Sequence, residues 1–420
     1  MNDTPARAAD HGDLRLLVVI FATALVAFEL WMATTSHDNS RDQHLGGAVA
    51  FARGHIDLLR PTILGFNANG SPTPLEFPLW QALTALLMKG FGVWYGWGNV
   101  VSLGFLFSSL WALFDLCRRL GSDRLAWWAL VFSLVQPLNL IVGGQAGGDS
   151  TAWALAMGFI YFSQRMMSEG KWGWWVLAVF TGGLSAMTKA PFFVTAGLTT
   201  FFWLWLRHRH SGRAWLFLLS AGTISAGLFW IWNCHCHRVY AEAEFPAISM
   251  DPLDARSGIQ HWYFGSLAYR LNLHNWLRGG WHLANTVLGG LSFVFLLLVS
   301  IRLRKSAEAW LWLLAATGTL LVFPKLLFEH LHYFFIFSPA AAWLCALAAA
   351  ELEPGLWSRI RAGTVARTAL LLTTFSVTLA GTLMIMHINM YFDPYPEEVA
   401  QLIQQHTDPE DKIMVWGMLW

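Results

Sequence analysis

Apolar runs alternate with short polar connections along most of the chain. Such runs fall at roughly 14–34, 96–117, 125–143, 150–164, 172–188, 191–206, 214–233, 281–301, 308–325, 333–350 and 367–387. A helix needs about 20 apolar residues to cross a hydrocarbon core, and most of these come close, though several are short. The pattern predicts an all-α polytopic membrane protein with about eleven transmembrane helices. Residues 35–95 differ in texture. Leu45, Val49 and Ala52 recur at helical spacing within 41–53, and TPLEFPLWQALTALLMKGFG reads as a second amphipathic helix with Pro78 near its first turn. Both are expected to lie along the membrane surface. The segment 234–280 is aromatic and polar, and short interfacial helices are expected there. The tail after 387 reads as a helix, a turn at Asp408–Pro409 and a strand, a short α/β segment at 388–420. A lone strand leaves its edge unpaired, so it either pairs elsewhere or belongs to a longer outer domain that is cut short at 420.

Basic residues orient the spans. With the N-terminus cytoplasmic, the inner connections are CRRLGSDR, SQRMMSEGK, RHRHSGR, IRLRK and WSRIRAGTVAR, which hold about half of the 27 Lys and Arg residues. The loops at 35–95 and 234–280, and the tail, then face outward. Composition agrees: 55% of the 420 residues are hydrophobic and only 13% charged, against about 25% charged in soluble domains. Trp, with 25 copies, suits membrane interfaces. A net charge of +1 with no long basic run argues against nucleic-acid binding. Four scattered cysteines make no disulfide framework. The N-terminal stretch carries Asp3, Asp10 and Asp13 before a full-length apolar run, unlike a cleavable leader.

Ionisable groups kept beside a bilayer are costly and so are candidates for chemistry. Asp38, Asp42 and Glu76 sit in the first outer loop, and Asp42 could serve as a base at the interface or simply occupy a helix's first turn. Glu76 precedes a helix start at an interfacial position, as a functional carboxylate or an ordinary helix-start acid. Asp149, in GGQAGGDSTAW, is a substrate contact or an ordinary helix cap. Lys189, in AMTKAPFF, is an anion-binding cation or a lysine that snorkels to the interface. His330, His332 and Tyr333 follow Glu329 near the start of a late span. The run NCHCHRVY lacks the Cys-x-x-Cys spacing of zinc sites.

Taken in order, these elements resemble the GT-C superfamily of polyprenyl-phosphate-sugar glycosyltransferases, in its bacterial branch similar to protein O-mannosyltransferases and the lipid A aminoarabinose transferase. The carrying motifs are Asp42-Gln43, Glu76-Phe77-Pro78-Leu79, Thr188-Lys189-Ala190-Pro191, and His330-Leu331-His332-Tyr333 with Pro339. The resemblance covers roughly 14–390. It departs from the family at Gln43, where a second acid is usual, at Phe77, where a lysine occurs, and at His332, in place of a tyrosine.

The resemblance implies a transmembrane catalytic domain over 1–387 of a bacterial inner-membrane protein, with the active site facing the periplasm or exterior. It implies inverting transfer of a sugar from polyprenyl phosphate to a hydroxyl of a glycan, lipid or protein acceptor. Asp42 is then the expected base and Lys189 the first cation for the phosphate, with His330, Arg270 and Arg278 behind it. Asp149 and Glu76 would orient sugar hydroxyls or hold a divalent metal ion, and Tyr333 would line the substrate site. A transporter or lipid flippase is the competing class. It would place ionisable groups near mid-span, as only Glu29 and Asp115 do.

Overall fold

The computed structural model describes residues 12–35, 42–61, 74–242, 253, 259–289, 306–359, 371–372 and 376. Every regular element among them is helical. In order they are α1 (Gly12–Thr35), α2 (Asp42–Arg53), α3 (Leu79–Phe91), α4 (Trp97–Leu120), α5 (Asp123–Leu134), α6 (Asp149–Glu169), α7 (Trp172–Thr188), α8 (Ala190–His208) and α9 (Gly212–Glu242). Three short helices follow, α10 (Ile259–Phe264), α11 (Leu267–Leu271) and α12 (Leu273–Leu283), then α13 (Ala307–Val322), α14 (Pro324–Glu329) and α15 (Ser338–Arg359). Among the described residues, four stretches are long and apolar enough to cross a membrane, Gly12–Trp31, Trp97–Leu120, Gly212–Glu242 and His332–Leu352. The chain is a multi-pass membrane protein. The segment 388–420 and most of the span expected at 367–387 lie outside the described residues, as does much of that expected at 281–301.

Burial follows helical periodicity. In α1, Leu14, Leu17, Phe21 and Leu25 are buried along one face, and Glu29 continues that stripe. Close approach of α6, α7 and α9 depends on Gly182 and Gly183. A Cβ at Gly182 would lie 2.5 Å from the Phe159 ring and 2.7 Å from Ser225 Oγ, and one at Gly183 would lie 2.5 Å from Leu228. Polar contacts join helices where apolar surface alone gives no specificity: Thr195 and Thr319 hydroxyls meet at 2.8 Å between α8 and α13.

Three boundaries differ from the apolar pattern. The run 125–143 is not one helix: α5 stops at Leu134, a π-turn covers Asn139–Gly143, and Pro137 lies between them. Proline has no N–H and disfavours the helical region for the residue before it. Gln136, freed from the helix, donates to the Ser338 carbonyl at 3.1 Å. At the other extreme, α9 continues through NCHCHRVYAE to Glu242, so the loop expected from 234 starts later. Cys236 is buried beside Trp232 and Tyr240 as a packing residue. The apolar run 308–325 likewise divides at Pro324, which opens α14.

Among its described residues, the stretch between α1 and α4 folds as two helices, as its pattern predicts. In α3, Trp80, Thr84, Ala85 and Met88 are buried. Trp80 packs with Ala48 and Ala146 and donates to Ser102 Oγ at 3.0 Å. Ser102 in turn donates to the Gly147 carbonyl at 3.3 Å. That chain fixes the glycine-rich turn ahead of α6 against the surface helices.

Candidate functional site

Lys189 ends α7 and precedes α8, with extended backbone (φ −148°, ψ 97°). The break is written by Pro191. A continuous helix would satisfy the Met187 carbonyl with the N–H of residue 191, and proline has none. Met187 instead accepts from the Phe77 N–H at 3.1 Å. Two residues earlier, the Leu75 carbonyl accepts from the Trp232 indole at 3.1 Å. The Phe77 ring meets Trp232 edge-on at 5.2 Å, beside Met187. Glu76 is thus held between two tethers. Phe77 is an apolar anchor and contributes no charge.

Those constraints bring three charges together. Lys189 Nζ lies 2.6 Å from Asp149 Oδ1 and 3.1 Å from Glu76 Oε1. The lysine side chain is 6% exposed, Glu76 18% and Asp149 17%. Asp149 is the first residue of α6, where the helix dipole favours an anion. Burial works against the ammonium, but Asp149 and then Glu76 outweigh it and hold the Lys189 pKa well above the ordinary lysine value. Tyr333 presents its ring face to Nζ at 5.1 Å from the centroid. His332 Nε2 lies 3.6 Å from Asp149 Oδ1.

Aromatic groups wall the cluster. The His330 ring lies 4.9 Å from Trp262 and 5.5 Å from His332. Burial first, and then the Lys189 charge, push the His330 pKa down to about 4, against an opposing effect of Asp149. His330 is therefore neutral at pH 7 and supplies no cation there. Tyr263 is pushed up to about 12 by burial and next by the Glu76 charge. Trp262 and Tyr263 escaped the sequence reading. They sit among many aromatics in one long loop, and no spacing marks them out.

Of the expected site residues, Glu76, Asp149, Lys189 and Tyr333 converge, and His330 lies beside them. Asp42 begins α2, but its side chain is outside the described residues. Arg270 is committed elsewhere: its guanidinium donates to the carbonyls of Phe264, Leu321 and Val322 at 2.9, 3.1 and 2.9 Å. It ties α10 to the end of α13. A guanidinium's five donors suit such bridging as well as they suit phosphate. No three His, Cys, Asp or Glu side chains converge as a metal site among the described residues. The Lys189 ammonium occupies the space between the two carboxylates that a divalent ion would need, so this cluster does not fit a metal.

Similarity to solved structures decides the fold. The crystal structure of ArnT from Cupriavidus metallidurans bound to undecaprenyl phosphate superposes with a TM-score of 0.59 at 16% identity, over 85% of this chain and 63% of that one. The chain has the GT-C fold. The apo form of the same enzyme matches with a TM-score of 0.54 at 15% identity, over 81% of this chain and 61% of that one. The Archaeoglobus fulgidus oligosaccharyltransferase in its apo form matches at 0.52 and 12% identity, over 94% of this chain and 58% of that one. The chain therefore spans about three fifths of the length of these GT-C proteins. No family profile matches the sequence, nor does any curated protein. Within this fold, the Glu76–Lys189–Asp149 cluster lies where α6 begins, at the end of the bundle opposite Arg118 and Arg119, which close α4.

Proposed function

We propose that the chain is an inverting glycosyltransferase that moves a sugar from polyprenyl phosphate to the hydroxyl of an acceptor. The acceptor is a lipid-linked glycan, lipopolysaccharide, a cell-wall polymer or a protein. We place it in a bacterial inner membrane with about eleven spans, the N-terminus cytoplasmic and the site facing outward. The observation that carries this reading is the buried Glu76–Lys189–Asp149 cluster, where α6 begins and α7 ends, in a bundle with the GT-C fold.

The chemistry assigns the roles. The bond between the anomeric carbon and phosphate oxygen breaks, and its electron pair leaves with polyprenyl phosphate. The acceptor oxygen forms the new bond from the opposite face, and its proton passes to a base, for which we choose Asp42. The departing phosphate gains charge, so the step needs a preplaced cation more than an acid. Lys189 has three N–H donors. Asp149 and Glu76 hold two of them, which fixes the ammonium and keeps it protonated, and the third serves the phosphate. Asp149 and Glu76 are on this reading positioning residues, and Tyr333 covers the ammonium from water.

The rival transport reading loses ground because Asp115 is tied to its own helix, through Arg118 and Arg119 at 2.5 Å each. Glu29 accepts from Asn99 at 3.4 Å at a packed helix contact. The test is transfer of label from a radiolabelled polyprenyl-phosphate sugar to outer-leaflet lipids and polymers by the purified chain. Asp42→Asn is expected to abolish product while the protein stays folded, and Lys189→Ala to cut turnover about 10²–10³-fold. Undiminished product from Asp42→Asn would overturn the base assignment, and none from the wild type with any sugar donor would overturn the function.

A further inference from the structure

At the end of the bundle away from Lys189, charge collects beside an apolar groove. Asp115 in α4 accepts from Arg118 and Arg119 at 2.5 Å each and from the Tyr161 hydroxyl at 3.0 Å. Arg165 donates to Tyr161 Oη at 2.8 Å, pairs with Glu169 and stacks its guanidinium on Trp174, 4.3 Å from the ring centroid. Lys171 lies 3.3 Å from Glu169. Four cations face two carboxylates, so the cluster keeps a surplus of positive charge. Lys171 and Arg118 are open to solvent, with side-chain exposures of 71% and 50%.

Tyr161 belongs to both features. Its hydroxyl joins the ion network, and its ring lines a groove of about 480 Å³ formed by α4, α6 and α7. The walls are Trp111 and Phe162, and the small residues Gly104, Ala112 and Gly158 line it between them. A Cβ at Gly158 would lie 3.1 Å from Thr181, so helix contact closes that side. A Cβ at Gly104 would touch nothing within 4 Å, so the groove is open there. Arg118 follows Ala112 by six residues, about 9 Å along α4, and Arg165 follows Phe162 by three, about 4.5 Å along α6. The cations therefore stand one headgroup's reach from the apolar slot.

We propose that this groove and its basic end form a binding site for an anionic phospholipid. An acyl chain would lie against Trp111 and Phe162, with the headgroup phosphate on Arg118, Arg119, Arg165 and Lys171. Basic pockets between transmembrane helices suit anionic headgroups, and each arginine keeps donors beyond those used on Asp115, Tyr161 or Glu169. A zwitterionic lipid would gain the same apolar contact but no net attraction.

The test is native mass spectrometry of the full chain with added phosphatidylglycerol, phosphatidylcholine or undecaprenyl phosphate. Phosphatidylglycerol is expected to be retained about tenfold more than phosphatidylcholine. Gly104→Leu, which enters open space, and Lys171→Gln, at an exposed position, should each lower that retention about fivefold. Equal retention of the two phospholipids, or unchanged retention in both variants, would overturn the proposal. So would displacement of phosphatidylglycerol by undecaprenyl phosphate, which would make the occupant a carrier lipid. Wild-type protein gives an independent reading: photoactivatable phosphatidylglycerol should label residues 104–112 and 154–162. Labelling spread equally onto lipid-facing α9 would refute it.

Discussion

Replacing Lys189 by methionine keeps the stem and removes the charge between Asp149 and Glu76. At an effective dielectric constant of about 20, contacts at 2.6 and 3.1 Å correspond to gross attractions of about 6 and about 5 kcal/mol. Burying three charges offsets much of that. Removing one partner, however, leaves the others uncompensated, and breaking a buried pair costs about 3–5 kcal/mol. Lys189→Met should therefore lower stability by that amount. Neutralising the carboxylates as well, in Lys189→Met/Glu76→Gln/Asp149→Asn, should recover about 2 kcal/mol or more, since close charges are strongly non-additive. The measurement is the folded fraction in mixed micelles as denaturing detergent is raised, followed by Trp fluorescence. A Lys189→Met stability within about 0.5 kcal/mol of wild type, the range of ordinary surface changes, would refute the coupling of these three charges. So would a triple variant no more stable than the single one.

Three further outcomes follow from the same geometry. Since the folded pKa of His330 is about 4 and an unfolded histidine titrates near about 6.5, its contribution is present above 6.5 and lost as pH falls towards 4. His330→Gln should flatten the acid side of a plot of melting temperature against pH, and an unchanged slope would refute this. Pro191→Ala restores an N–H that competes for the Met187 carbonyl, so the Phe77 amide should exchange faster with deuterium. Equal protection in both proteins would remove the tether. Arg270→Gln should reduce thermal stability and leave the KM for the lipid donor unchanged; a raised KM with normal stability would return Arg270 to the substrate.

The helices were legible where polar punctuation bounds the apolar runs. Residues 172–188 were read to their ends because Lys171 and Lys189 bracket them. The break at Pro137 is not legible because Gln136 and Asn139 are too few to interrupt the apolar average of the run, and hydropathy is blind to a missing N–H. Asp149, Glu76 and Lys189 are each visible as ionisable groups near span ends, but the two acids have an equally good helix-end explanation and the lysine an equally good one as a snorkelling side chain. Only packing across α3, α6, α7 and α9 brings them within 3.1 Å of one atom. Arg270 was misleading because its partners are backbone carbonyls, which carry no sequence signature.

The tethers on either side of Glu76 set an order of assembly. Trp232 lies 157 residues after Leu75. At about 5–20 residues per second of synthesis, the carboxylate waits roughly 8–30 s for its second anchor. The stretch between α1 and α4 is thus made early and finished late, and the charged cluster gains its second tether only after α4 to α8 have been synthesised. A mutation in α9 far from any charge could then delay maturation of the site without altering the site itself.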